Sequence, residues 1–238
     1  MNRFIISVLF IAGCISLNAQ STKIMLVTGG HSYDTIPFFK MFDSMKGLEF
    51  EYISQPLANQ KIAASDAEQY DLLVFYDISR KISDEEKKGY LNLLNKGKPM
   101  LFLHHSLLSY AMWPEFEKII GGKYLEKGTN SSLPDSLFSR CHYNVSYNVK
   151  VADANHPATK GISGFLLFDE AFENYRIDGC VIPLYTNDYK NNETIIGWEN
   201  KYQNSKIIYL QPGHDRNAFD DKNFRRVLLQ LIKYLTNN

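Results

Sequence analysis

Cysteine is scarce in this chain. There are three in 238 residues, and no two stand in a Cys-x-x-Cys spacing, which excludes a zinc ribbon or a disulfide framework as the basis of the fold. Cys14 falls in an N-terminal leader, so Cys141 and Cys180 are expected as buried free thiols. An excess of charge of one sign is missing as well. Lys+Arg and Asp+Glu are both 26, a formal net charge of zero, so neither the basic surface of a nucleic-acid binder nor the acidic composition of a disordered tail is expected. Beyond the leader no apolar run is long enough to span a bilayer. There is no internal repeat, linker or low-complexity tract, and the length suits one α/β domain with a single sizeable core.

The leader itself is legible. Asn2-Arg3 is a positive start, Phe4 to Ala12 a short apolar stretch, and Leu17-Asn18-Ala19 a small-residue cleavage site before Gln20. This predicts a signal peptide over residues 1–19 and a mature domain over 20–238. Ile11-Ala12-Gly13-Cys14 also resembles a lipobox, which would leave a lipid-anchored Cys14; simple cleavage is preferred because the segment runs on to a second site. Either way the chain is expected to be exported, to a periplasm or beyond.

What is present is a rhythm of short apolar strands, each stopping at a chemically loaded tip. Lys23 to Thr28 reads as a strand that ends at Gly29-Gly30-His31, with Asp34 as the cap of a helix carrying Phe38, Phe39, Phe42 and Met45 inward. Glu49 to Ser54 is a second strand, Asp66 to Tyr70 a short helix, and Asp71 to Tyr76 a third strand. Ser83 with Glu86 forms a capping box opening a helix that stops at Gly97. Met100 to Leu103 is a strand buried on both faces, followed at once by His104-His105-Ser106. A helix begins near Trp113-Pro114 and ends at Gly121-Gly122. Strand and helix alternating in this way imply right-handed crossovers and a parallel sheet.

The second half differs. Lys123 to Arg140 is polar and loop-like, with Gly128, Asn130, Ser131, Ser132 and Pro134 together, and His142 to Ala152 alternates as a half-exposed antiparallel strand, an insertion that could form a flap over the strand tips. Three more strands follow, at Val181 to Thr186, Thr194 to Glu199 and Lys206 to Gln211. The last ends at Pro212-Gly213-His214-Asp215, and Asn223 to Leu235 closes the domain as an amphipathic helix.

Three histidine-bearing tips therefore point to one sheet edge: His31, His104-His105 and His214. In open parallel sheets ligands collect outside the carboxyl ends of the strands, and Asp169 and Glu170 would add carboxylates if the insertion folds back. Histidine with carboxylate serves either acid/base catalysis or divalent-metal binding, and spacing does not choose between them. Gly30, Tyr33, Ser106, Tyr110, Asp169 and Asp215 are candidate substrate contacts at the same edge. Tyr33 and Tyr110 are equally open to a core-packing role, and Trp113 is read as core. The 15 tyrosines suit a pocket that stacks on sugars.

The runs GGHSYD, LFLHHSLLSYAMWPEFEKIIGGKY, HPATKGISGF with DE, PLYT, IIGW and YLQPGHD-NAF resemble the ThuA-like family, named for trehalose utilisation, over roughly Lys23 to Leu235. The resemblance implies a flavodoxin-like three-layer α/β sandwich with a mainly parallel sheet, of the class I glutamine amidotransferase-like type, here with an inserted antiparallel flap. In true amidotransferases the strand-to-helix elbow carries a cysteine nucleophile, whereas the matching turn here is Leu103-His104-His105-Ser106, so thiol-dependent glutamine hydrolysis is not expected. Ser106 is conceivable as a replacement nucleophile but is poorly placed for its neighbour His105 to deprotonate it.

By resemblance the ligand is a carbohydrate: a disaccharide, glycoside or keto-sugar. If the protein is an enzyme, His31, His104, His105, His214 and Glu170 are its expected catalytic residues, by acid/base or metal-assisted chemistry, with the metal unassigned. The alternative is a non-catalytic sugar-binding protein, or a scaffold whose amidotransferase-like site has decayed. A homo-oligomer is left open.

Overall fold

The computed structural model describes residues 21–128 and 134–237. The leader with its cleavage site and Cys14, and Asn130, Ser131 and Ser132 of the polar stretch, lie outside the described residues. No helix among the described residues is long and apolar enough to cross a membrane.

The first half alternates as the sequence implies: β1 (Thr22–Gly29), α1 (Thr35–Asp43), β2 (Leu48–Ser54), α2 (Leu57–Ala63), β3 (Leu72–Asp77), α3 (Asp84–Asn95), β4 (Met100–Leu103) and α4 (Pro114–Ile120). The second half is mainly strands: β5 (Gly122–Lys123), β6 (Arg140–Val151), β7 (Phe165–Glu173), β8 (Arg176–Ile177), β9 (Ile182–Thr186), β10 (Ile195–Tyr202) and β11 (Ser205–Leu210), closed by α5 (Arg216–Asp220) and α6 (Lys222–Thr236). The main sheet runs β2-β1-β3-β4-β11-β10-β9-β6-β7. β2, β1, β3, β4 and β11 are mutually parallel, while β10, β9, β6 and β7 are antiparallel to their neighbours. The order 2-1-3-4 followed by β11 is the flavodoxin arrangement, with its switch point between β1 and β3. This is the expected flavodoxin-like α/β sandwich with a mainly parallel sheet. The extra antiparallel strands β6 and β7 pair along most of their length and join the sheet through β9, carrying Glu170 over the strand tips as the expected insertion would.

The central strands are apolar on both faces because each face meets a helix layer. Leu26, Val74, Leu101 and Ile208 pack with α1, α5 and α6. Val27, Phe75, Phe102 and Ile207 pack with α2, α3 and α4. Helix ends follow local chemistry. Ser83 Oγ accepts from Glu86 N at 3.2 Å while Ser83 N donates to Glu86 Oε2 at 2.7 Å, the reciprocal capping box. Pro114 opens α4, and Gly121 at φ +78° ends it.

Two local expectations are corrected. Asp34 sits before α1 but makes no side-chain cap; its carboxylate accepts from Arg216 N at 3.0 Å, tying the β1 tip to the β11 tip. Cys141 and Cys180 are free thiols, but Cys180 is exposed in the turn after β8 and Cys141 only half-buried.

Beneath the strand tips lies a polar core that the apolar pattern does not announce. Asp77, the last residue of β3, is buried and accepts from Gln55 Nε2 at 3.0 Å; Gln55 also reaches Asn59, which Tyr90 and Tyr110 hydrogen-bond. Burial pushes the Asp77 carboxyl up to about 7, against weaker opposing hydrogen bonds from Gln55 and Ser106. An unfolded aspartate titrates near 4, so the folded chain keeps a proton that the unfolded chain releases, and stability from this group falls as pH rises from about 4 to about 7. Relative to wild type, Asp77→Asn is expected to gain roughly 2–4 kcal/mol between pH 4 and pH 8, measured as the difference in urea unfolding free energy. Parallel pH profiles for the two proteins would show that Asp77 is ionised in the fold.

Candidate functional site

Each parallel strand delivers its histidine by a backbone device. β1 exits through Gly29 and Gly30, both at positive φ, and a Cβ on Gly30 would sit 1.8 Å from the Ile78 carbonyl oxygen. Only glycine allows the chain to cross the exit of β3 there and turn His31 back over the edge. At the β4 tip His104 itself takes φ +46°, uncommon for a residue with a Cβ. Tyr209 Oη donates to its carbonyl at 3.0 Å and its ring stacks on Phe172 at 4.7 Å, which hold this conformation. At the β11 tip Gly213 lies at φ +120°, where a Cβ would meet the Phe224 ring at 2.9 Å. His214 follows, its backbone N donating to Asp169 Oδ1 at 2.9 Å as Gly213 N donates to Asp169 Oδ2 at 2.7 Å.

The carboxylate comes from β7. Glu170 is 2 % exposed, and one of its oxygens, Oε2, lies 2.8 Å from His104 Nε2, 2.8 Å from His214 Nδ1 and 3.7 Å from His105 Nε2. His104 Nε2 and His214 Nδ1 are 3.1 Å apart. On its other side His104 Nδ1 meets the Gln211 carbonyl oxygen at 2.5 Å. A carbonyl only accepts, so Nδ1 carries the hydrogen and Nε2 is the atom turned toward the carboxylate. Gln211 Nε2 in turn donates to the Glu170 carbonyl at 2.8 Å, fastening β7 to the β11 tip. His31 joins through its ring, 4.4 Å from that of His105, with Nδ1 at 3.3 Å from the Gly29 carbonyl. His31 Nε2 and His105 Nδ1 are buried without a hydrogen-bond partner.

The electrostatics follow from this packing. For Glu170, burial opposes ionisation, but hydrogen bonds and charge from His104 and His214 outweigh it and hold the carboxyl well below the usual carboxylate range. For His214, burial is likewise outweighed by Glu170, and its pKa is raised. Burial, with the neighbouring histidines, pushes His105 far below its ordinary value and His31 down to about 4. Burial raises the Asp169 carboxyl. The charged centre is thus His214 with Glu170, flanked by neutral imidazoles.

Four of the six histidines gather here, as their strand-tip positions imply. They form a compact, mostly buried cluster; solvent reaches it through His214 and His105, whose side chains are 29% and 15% exposed. Tyr33 is half-buried at the rim, its ring 5.6 Å from His31 and its hydroxyl on Thr28. Other candidate contacts are placed elsewhere. The Ser106 hydroxyl is fully buried, donating to the Phe75 carbonyl at 2.9 Å and accepting from Asp77 N, so it faces the β3 backbone and not a substrate. Tyr110 belongs to the Asn59–Tyr90 core. Asp169 positions the Gly213–His214 backbone, Asp215 caps α5 by accepting from Asn217 N at 2.8 Å, and Gly30 serves the turn. Trp113 is core, packed on Tyr90 and Phe116.

Two site residues lie outside the sequence reading. Between the pairs His142↔Ala171 and Val145↔Asp169, β6 takes one residue more than β7, and Asn144 is left-handed at φ +56°. This bulge sits opposite Glu170 and turns Cys141 and Tyr143 toward it. Both side chains lie within electrostatic reach of its carboxylate, Cys141 Sγ donates to Tyr143 Oη at 3.3 Å, and the Tyr143 ring lies 5.5 Å from that of His214. The sequence signal was the break in alternation at Tyr143-Asn144.

The sequence profile of the family described as trehalose utilisation (ThuA) matches residues 23–235. Among solved structures, a ThuA-like protein from Parabacteroides merdae ATCC 43184 superposes with TM-score 0.75 at 17% identity, covering 91% of this chain and 90% of that one. A ThuA-like protein from Bacteroides uniformis ATCC 8492 gives 0.69 at 17% identity, covering 94% and 95%. A β-galactosidase from Bacillus circulans sp. alkalophilus gives 0.58 at 10% identity, covering 92% of this chain and 31% of that one. These identities speak to the fold alone. No curated protein matches the chain.

The placement of Ser106 is directly testable. Ser106→Ala removes two buried hydrogen bonds and is expected to lower the urea unfolding free energy by about 1–3 kcal/mol. A serine-directed fluorophosphonate should leave the wild-type protein unlabelled; covalent labelling at Ser106 would contradict this placement.

Proposed function

Since the chain belongs to the ThuA family of trehalose utilisation, we propose that it is an exported enzyme converting a disaccharide, glycoside or keto-sugar at the carboxyl edge of its sheet. The observation that carries this reading is the convergence of His31, His104, His105 and His214, from three strand tips, with Glu170 of β7. A binding protein needs directional hydrogen bonds to hydroxyls. It has no use for a group of imidazoles turned toward one carboxylate oxygen.

The roles follow from atoms. His31 has its Nδ1 against the Gly29 carbonyl, which leaves a lone pair on the unpartnered Nε2. It is the proton acceptor. His214, whose pKa Glu170 raises, is the proton donor, placed to stabilise negative charge on a sugar oxygen as a proton leaves the neighbouring carbon. Tyr143, 59% exposed beside His214, offers a ring face for the sugar and a hydroxyl for hydrogen bonding. Cysteine-dependent glutamine hydrolysis has no place in this reading, since the elbow offers only His104, His105 and an inward-turned Ser106.

The test is a panel of disaccharides, glycosides and their keto derivatives followed by product analysis. His31→Ala is expected to lower turnover by roughly 10²–10⁴-fold with little change in melting temperature, because its ring makes one long hydrogen bond and its Nε2 none; His214→Ala is expected to lower turnover comparably and stability as well, because it leaves the buried Glu170 carboxylate short of a partner. Calorimetric binding of a sugar with no product formed would instead make the protein a sugar-binding member of the family.

A further inference from the structure

The geometry points to a divalent transition-metal centre in this cluster, with His104 Nε2, His214 Nδ1 and Glu170 Oε2 as ligands and His105 as the fourth donor. The proposal uses residues of the site just described but does not depend on its substrate being a sugar.

The three atoms form a triangle with sides of 2.8, 2.8 and 3.1 Å. Protons alone leave at least one side unsatisfied. If both nitrogens donate to Oε2, two N–H groups lie side by side at 3.1 Å, and His104, already protonated at Nδ1 by its bond to Gln211, becomes a fully buried cation. If only His214 donates, the His104 Nε2 lone pair faces a carboxylate oxygen at 2.8 Å with no hydrogen between them. A single cation among the three accepts all three lone pairs at once.

The dimensions agree. Metal–ligand bonds of ~2.1 Å at right angles place adjacent ligand atoms ~3.0 Å apart, the spacing of one face of an octahedron. Two imidazoles and one carboxylate on such a face form a recognised set for non-haem iron and related ions. The surroundings agree as well. A ligating histidine ordinarily gives its other N–H to a carbonyl or carboxylate, as His104 does to Gln211, and Asp169 fixes the backbone that carries His214. His105 Nε2, 3.7 Å from Glu170 Oε2, stands within reach of a further position around the same ion. A bound ion would supply a positive pole able to polarise a carbonyl or a water molecule.

The experiment loads the full mature chain, purified without chelator and then stripped, with Mn²⁺, Fe²⁺, Co²⁺ or Zn²⁺ in turn, and reads stoichiometry by elemental analysis and affinity by calorimetry. Close to one ion per folded chain is expected, with Glu170→Gln weakening affinity by at least ~10²-fold and His31→Ala leaving it unchanged. Should Glu170→Gln not fold, X-ray absorption of the zinc-loaded wild type decides: a nitrogen/oxygen shell at ~2.0–2.1 Å with imidazole scattering is expected. No stoichiometric binding of any of the four ions, or binding without imidazole scattering, overturns the proposal. Each reading fails separately. Sugar turnover by fully stripped protein would overturn the metal role alone, and a bound ion without sugar conversion would overturn the proposed reaction alone.

Discussion

One carboxylate oxygen, Glu170 Oε2, ties the two halves of this molecule together. It is reached from the β4 tip by His104 and from the β11 tip by His214, both parallel strands, while Glu170 itself stands on β7 at the far antiparallel edge of the sheet. A buried carboxylate is costly unless its lone pairs are filled, so the sheet edge must close until they are. The surrounding contacts read as consequences of that demand: Gln211 bonds His104 with its carbonyl and Glu170 with its side chain, Asp169 gathers the Gly213 and His214 amides, and the β6 bulge brings Tyr143 and Cys141 to the same group.

The same constraint governs the turn after β4. The first residue of that turn, His104, is spent on the carboxylate and its third, Ser106, on the backbone of β3. The titratable side chains at this edge form one group shared by three strand tips. The fold supplies the edge, and the residues at the edge decide the reaction.

Much of this was legible in the chain. Glycine followed by histidine at the ends of β1 and β11, and two histidines at the end of β4, placed four imidazoles at one edge because parallel strands end on the same side. The Ser83–Glu86 box and Gly121 marked their helix ends for local reasons that no distant contact disturbs. The misplacements share a cause: each depends on contacts remote in sequence. Asp34 was read as a local cap but answers Arg216, 182 residues away. Tyr110 was read by its nearness to His104, although the 3-10 turn between them carries it inward to Asn59. Cys141 and Tyr143 reach the site only because β6 carries an extra residue, and neither composition nor period encodes where a bulge faces. The α2 helix, which buries only Ala58 and Ile62 among its apolar residues, was too short to announce itself.

The central claim is that His104 is fixed by Gln211 so that its Nε2, and not its Nδ1, faces Glu170. Nitrogen-15 NMR of histidine-labelled, chelator-treated protein tests this most directly, because each ring nitrogen reports whether it carries a proton. The account expects His104 Nδ1 to be protonated, with a one-bond coupling and slow exchange with solvent, as suits a buried N–H held by a carbonyl. A His104 Nδ1 without a proton would contradict it.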